Sequence, residues 1–252
     1  MKTKKNLKRI LLVTGAIILL IVLLFAGYMF KARSEMKKMK PAETKELMSN
    51  LFAVKDSFVN MYLIIDNDSY IAVDAGNDAE AISGELQKLG VSPGKVTAIL
   101  LTHTDGDHVG AIKLFKNART YLSVDEEQLL NGKKSRFLFF GNTIDAETYT
   151  LVADQQLITI GNTVVKAILT PGHTPGAMCY LVNDKYLFTG DAVSLQDGRI
   201  GKFNTFFNMD TETAVKSTDK IIHLPACEYI FTAHYGYADY KNAVKDGINL
   251  ED

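Results

Sequence analysis

Apolar positions fall into three kinds of run along this chain. The first is an uninterrupted, uncharged stretch of 21 residues from Ile10 to Phe30, long enough to cross a bilayer as a helix. The second kind is short, alternating or fully apolar, and predicts strands at Phe58–Ile65, Tyr70–Val73, Val96–Leu101, Thr120–Leu122, Thr148–Val152, Gln156–Ile160, Thr163–Leu169, Ala177–Val182, Tyr186–Phe188 and Tyr229–Thr232. The third kind repeats at helical spacing. It predicts helices at Ala79–Leu89 (stopped by Gly90), Val109–Phe115, Glu126–Leu130, Thr211–Ile222 and Tyr240–Ile248. Strands come first, then mixed strand and helix, and the same succession returns in the second part. The order predicts an α+β domain of two similar halves.

The N-terminal run changes the picture of the whole chain. Residues 1–9 form a basic tail with Lys2, Lys4, Lys5, Lys8 and Arg9. Residues 10–30 read as an uncleaved transmembrane anchor, the alternative being a cleaved secretory signal. Leu24-Phe25-Ala26 is a poor small-x-small cleavage site, and no cysteine lies nearby to mark a lipoprotein. Residues 31–50 read as a polar, helix-prone stalk punctuated by Pro41, and residues 51–252 as the globular domain. Five basic residues flank the anchor on each side, so the positive-inside count is tied. Short N-terminal tails before a single anchor more often stay inside, which places the domain outside the cytoplasm, tethered to the cell membrane.

Charge is divided in the same way. The net charge of −1 conceals ten Lys or Arg against Glu35 alone in residues 1–40, and eighteen basic against twenty-eight acidic residues in the remainder. An acidic globular part lacks the basic footprint that nucleic-acid binding needs, so no nucleic-acid partner is expected. Cys179 and Cys227 stand in no metal or redox spacing and read as two small buried apolar residues.

Candidate chemistry is concentrated just after the apolar runs. Val96–Leu101 leads into His103-Thr104-Asp105-Gly106-Asp107-His108, two histidines and two aspartates within six residues. His173 is bracketed by two Pro-Gly turns in Thr170-Pro171-Gly172-His173-Thr174-Pro175-Gly176, Asp191 follows Phe188-Thr189-Gly190, and His234 follows Tyr229 to Ala233. Imidazole with carboxylate suits zinc, iron or manganese, and the set offers ligands for two divalent ions. An isolated histidine or turn aspartate is more often structural, and His223, at the end of an amphipathic helix, is read that way. The segment Ser194–Met209, with Arg199, Lys202, Phe203, Phe206 and Phe207, reads either as a wall over the site or as a plain crossover.

His103-Thr104-Asp105-Gly106-Asp107-His108 resembles the H-x-H-x-D-H signature of the metallo-β-lactamase superfamily. Val73-Asp74-Ala75-Gly76, Gly172-His173-Thr174-Pro175-Gly176, Thr189-Gly190-Asp191 and Thr232-Ala233-His234 match in order, and Asn60 and Tyr62 fit the first strand. The resemblance implies a four-layer αββα sandwich with the site at one edge of two sheets. It implies one ion held by His103, Asp105 and His173, a second by Asp107, His108 and His234, and Asp191 bridging them with a hydroxide. Zinc is the expected metal, with iron or manganese possible, and Asp107 would orient the water and take its proton.

One position departs from the family pattern: Asp105 stands where the signature has its second histidine. A carboxylate oxygen reaches about as far as imidazole Nδ1, but it makes the centre more neutral and more tolerant of harder ions. The flavodiiron branch also has a carboxylate here, though its flavodoxin domain is missing from this chain. Eighteen residues follow His234, which leaves no room for the helical domain of the glyoxalase II type. The expected function is that of a membrane-anchored, metal-dependent hydrolase using a metal-bridged hydroxide on a small ester, lactone, thioester or amide. The alternatives are an iron-dependent oxidoreductase of sulfur species or oxygen, and a non-catalytic metal-binding domain tethered to the membrane.

Overall fold

The computed structural model describes residues 2–225 and 227–245, and the chain divides into two compact units, Met1–Met39 and Lys40–Asp252. The first unit is helix α1 (Lys2–Met36), of which Asn6–Met36 is long and apolar enough to cross a membrane.

The second unit is built on two sheets. One has seven strands in sequence order: β1 (Lys45–Met48), β2 (Leu51–Asp56), β3 (Val59–Asp66), β4 (Ser69–Val73), β5 (Val96–Leu100), β6 (Arg119–Ser123) and β7 (Tyr149–Val152). The other contains β8 (Leu157–Ile160), β9 (Thr163–Leu169), β10 (Met178–Val182), β11 (Tyr186–Phe188), β14 (Tyr229–Phe231) and β15 (Tyr237–Asp239), in the order β15-β14-β11-β10-β9-β8. A separate ribbon pairs β12 (Val193–Gln196) with β13 (Arg199–Lys202).

Period-two alternation decides which layer each residue enters. On β3, Tyr62 and Ile64 face the second sheet, where they pack with Val165, Tyr180, Phe188 and Phe231. Their neighbours Met61 and Leu63 face the opposite way, against Ile82 and Leu86. Those two residues are the buried stripe of helix α2 (Ala79–Lys88), started by Asp78 accepting from the Ala81 N–H. On the far side of the second sheet, Ile168, Cys179 and Leu187 pack with Ile221 of helix α5 (Thr211–Ile222) and with Tyr240 and Ala243 of helix α6 (Tyr240–Val244). The layers are therefore α, β, β, α.

Strands β2, β12, β13 and β15 are not expected from the sequence, several strand limits shift by a residue or two, and three further differences bear on the site and its surroundings. The supposed stalk holds an edge strand: Lys45–Met48 pairs with β2, so the domain begins at Lys40 rather than at Leu51. Exposed Lys45 and Glu46 hide this strand from a hydrophobic pattern. The helix expected at Val109–Phe115 is displaced toward the N-terminus, as α3 (Gly106–Val109), with Asp105 at its N-cap and a separate 3-10 turn at Ile112–Leu114. A second short helix, α4 (Glu127–Leu130), starts one residue late. The end of the helix expected at Tyr240–Ile248, from residue 246 onward, lies outside the described residues.

Strand direction positions the site. β4 through β7 run parallel, as do β11 and β14. Their carboxyl ends open onto one edge, where backbone polar groups are free to be capped by loops carrying function.

Candidate metal centre

All seven residues singled out in the sequence stand at that edge. His103 and Asp105 follow β5, Asp107 and His108 lie in α3, His173 joins β9 to β10, Asp191 follows β11 and His234 follows β14. Their donor atoms form three groups that could each hold a metal ion, every atom within 4.8 Å of its fellows: His103, Asp105 and His173; His103, His108 and Asp191; Asp107, His108 and His234. Asp191 lies between the outer groups. Its Oδ2 is 3.5 Å from His173 Nε2, and its Oδ1 is 3.1 Å from His234 Nε2 and 3.6 Å from His108 Nε2. Asp107 Oδ2 is 3.4 Å from His234 Nε2.

The imidazoles are held from behind. His108 Nδ1 is 2.9 Å from Asp74 Oδ2, His234 Nδ1 is 2.7 Å from the Phe58 carbonyl and His173 Nδ1 is 3.3 Å from Asn208 Oδ1. Engaging Nδ1 in this way leaves Nε2 to face the centre. Thr102 Oγ1 touches both Asp74 and His103 Nδ1, tying two ligand positions together. Glu126, fully buried, accepts from Thr104 N–H and hydroxyl, Thr174 hydroxyl and Gly176 N–H. It thereby joins the loop of His103 and Asp105 to that of His173. At Gly172 the backbone has φ +136°, and a Cβ would stand 2.3 Å from the Ala214 nitrogen. Only glycine lets this loop pack against α5.

A metal ion fits this donor chemistry. His103 Nε2, His108 Nε2 and Asp191 Oδ1 are buried with no hydrogen-bond partner, an arrangement costly for polar atoms unless something else binds them. Burial lowers the proton affinity of His108, but the charges of Asp107, Asp74 and Asp191 outweigh it and push its pKa up to about 10. Burial raises that of Asp191, and the positive potential of His234, His108 and His173 overrides it downward. The carboxylate side of the cluster thus attracts a cation strongly.

The sequence reading missed Arg136. Its Nε donates to Asp105 Oδ1 at 2.8 Å, and its Nη2 donates to Asp105 Oδ2 at 2.6 Å and to the Phe207 carbonyl at 2.9 Å. Asn142 Nδ2 adds a bond to Asp105 Oδ1 at 2.9 Å. Burial raises the Asp105 pKa, but the neighbouring His103, His173 and Arg136 side chains hold it well below the usual carboxylate range. In sequence, Lys133-Lys134-Ser135-Arg136 looks like an ordinary solvated charge run, and Glu126 like an exposed acid at a helix start. Of the expected wall, Phe203 is in place, its ring 5.0 Å from that of His173 and 6.0 Å from that of His234. The segment before it forms the β12–β13 ribbon. His223 lies apart from the centre, its side chain exposed and its Nδ1 2.8 Å from the Asp219 carbonyl.

Residues 54–234 match the sequence profile of the metallo-beta-lactamase superfamily. The chain belongs to that superfamily. BaeB of Bacillus velezensis, a probable polyketide biosynthesis zinc-dependent hydrolase, is 34% identical over 52% of this chain and 54% of its own length. The chain thus spans about half of that relative. The probable metallo-hydrolase YqgX of Bacillus subtilis is 26% identical over 69% of this chain and 84% of its own length. A hydroxyacylglutathione hydrolase of Enterobacter is 30% identical over 76% and 67% respectively. Among solved structures, a subclass B3 metallo-beta-lactamase with an active-site glutamic acid superposes with a TM-score of 0.64 at 19% identity, covering 86% of this chain and 89% of that one. MEM-A1, a subclass B3 enzyme from a soil metagenome, gives 0.61 at 20% identity over 77% and 80%. These superfamily structures share the fold.

Proposed function

We propose that this superfamily member is a membrane-anchored, zinc-dependent hydrolase of small esters, lactones, thioesters or amides. The observation that carries the reading is the convergence of the unpartnered, buried atoms His103 Nε2, His108 Nε2 and Asp191 Oδ1 at the open strand ends. His103, Asp105, Asp107, His108, His173, Asp191 and His234 are the proposed ligand positions. A divalent ion held by these residues would supply Lewis acidity toward a water and a scissile carbonyl.

The chain's own groups do the rest. Asp107 is the most open of the three carboxylates, at 22% exposed against 17% for Asp105 and 5% for Asp191. It is therefore placed to accept a proton from an entering water and hand it to the leaving group. Phe203, itself buried, packs against His173 and His234 and keeps water from that side of the centre. The names of two relatives support acyl chemistry, one describing hydrolysis of a hydroxyacylglutathione and the other a polyketide-pathway hydrolase. Asp105 gives no particular support to iron, because both its oxygens are engaged by Arg136 and Asn142.

The test is turnover of an ester, lactone, thioester and amide panel before and after chelation. Loss with chelator and recovery with zinc is the expected result. Metal uptake without turnover of any member would support the tethered binding domain instead. Helix α1 is proposed as the anchor, with the domain outside the cytoplasm. Protease added to intact cells should then remove the domain, whereas protection until lysis would reverse the orientation.

A further inference from the structure

We propose that the Arg136 guanidinium is the resident cation of the ligand group His103, Asp105 and His173, so that this chain holds a single tightly bound divalent ion rather than two. The inference rests on the metal-hydrolase reading and narrows it. A bidentate fork from guanidinium to carboxylate is geometrically specific and permanently charged. Here the fork takes both oxygens of Asp105, and its Nη2 also lies 3.3 Å from His173 Nε2. The same nitrogen is fixed by the Phe207 carbonyl at 2.9 Å, and the Arg136 side chain is only 19% exposed. Two of the three donors in that group therefore already face a positive charge.

The unsatisfied atoms tell the same story from the other side. His103 Nε2, His108 Nε2 and Asp191 Oδ1 lack partners, whereas Asp105 and His173 do not appear among the orphans. All three orphans belong to the group His103, His108 and Asp191, so the demand for a cation is concentrated there. Charge balance agrees. Asp105 and Arg136 cancel. Asp107 and Asp191 then neutralise one divalent ion. A second ion would find no further carboxylate to meet it and would stand against a fixed guanidinium.

Zinc stoichiometry of the purified full chain, measured by elemental analysis during titration with a competing chelator, tests this without reference to turnover. The wild type should retain one ion per chain. Arg136→Met and Arg136→Gln, two neutral replacements of different polarity, should each acquire a second tightly bound ion. Circular dichroism and a melting curve establish that the variants are folded. Two tightly bound ions in the wild type would overturn the proposal while leaving the hydrolase reading intact. A folded Arg136→Met or Arg136→Gln that still holds one ion would also overturn it, because Arg136 would then not be what keeps the second ion out. No ion in any of the three would defeat both this proposal and the metal centre on which it rests. The wild-type measurement alone remains decisive if both variants fail to fold.

Discussion

Asp74 Oδ2 lies 2.9 Å from His108 Nδ1, and Asp74 Oδ1 accepts the Thr102 N–H at 2.8 Å. Both contacts need a carboxylate. Asparagine tolerates the left-handed backbone at this position, where φ is +59°, so Asp74→Asn tests the charge and hydrogen bonding alone. Its amide nitrogen would have to face either the Thr102 N–H or His108 Nδ1. The second arrangement forces the His108 proton onto Nε2, the atom directed at the centre. Zinc affinity should fall by about 10–100-fold, the usual effect of losing such a partner, with the fold retained. Chelator competition giving wild-type affinity would remove Asp74 from this role.

Glu126 is the second supporting residue, and its loss should be read in stability. Glu126→Ala leaves two N–H groups and two hydroxyls without their acceptor in a fully buried place. The expected destabilisation is about 3 kcal/mol, from the desolvation penalty of buried groups left unsatisfied. Urea unfolding of metal-free protein isolates this from zinc binding. A change under about 0.5 kcal/mol, the usual range for surface substitutions, would show that water replaces the carboxylate.

The difference between the seven candidate ligands and these supporting residues explains what the sequence revealed. Each candidate follows an apolar run, so strand ends and ligand chemistry are adjacent in the chain and visible together, as at Val96–Leu101 and His103. The layers were legible for the same reason, because alternation on strands such as β3 assigns each side chain to a face. The side chains of Arg136, Glu126 and Asn142 pair with residues 22 to 71 positions distant in the chain. Nothing local separates them from solvated surface residues. Edge strand Lys45–Met48 escaped because its pairing is made by backbone, with two of its four side chains exposed.

The two thiols carry a pH signature. Both cysteines are free and buried, and burial pushes the pKa of each up to about 12, against about 8.5 for an unfolded cysteine. The folded state therefore favours the neutral thiol. This contribution to stability is complete below about pH 8.5 and declines as pH rises toward 12, because the unfolded chain then binds fewer protons than the native one. At pH 8 the native thiols should resist alkylation by iodoacetamide, and both should react once the protein is unfolded in urea. Rapid native labelling at either cysteine would contradict the burial that raises its pKa.

Substrate preference should follow the apolar turn beside Arg136. Leu138, Phe139 and Phe140 are 74%, 78% and 60% exposed, and Arg136 N–H donates to the Phe140 carbonyl at 2.7 Å, so the turn is tied to a residue of the centre. Replacing Phe139 and Phe140 by serine removes the apolar surface of this turn. KM for long-chain acyl esters should rise roughly fivefold, equivalent to about 1 kcal/mol of lost apolar contact, with kcat for a short-chain ester unchanged. Equal effects on both chain lengths would place the acyl group elsewhere.

Gly190 precedes Asp191 and is packed against Thr102. Its φ is +51°, and a Cβ there would stand 2.4 Å from Thr102 Oγ1 and 2.6 Å from Thr102 Cβ. Gly190→Ala therefore costs about 1 kcal/mol in backbone conformation and about 1–3 kcal/mol in overpacking. The clash also has a direction. Thr102 Oγ1 is 2.9 Å from Asp74 Oδ2 and 3.0 Å from His103 Nδ1, so moving it disturbs the groups behind His108 and His103 together. Zinc affinity should fall along with the melting temperature. If the affinity loss passes through the Thr102 hydroxyl, Thr102→Ala should reproduce part of it, and the double variant should lose less than the two single losses combined, since residues in contact do not act independently. Additive losses in the cycle would mean that Gly190→Ala acts by shifting Asp191 directly.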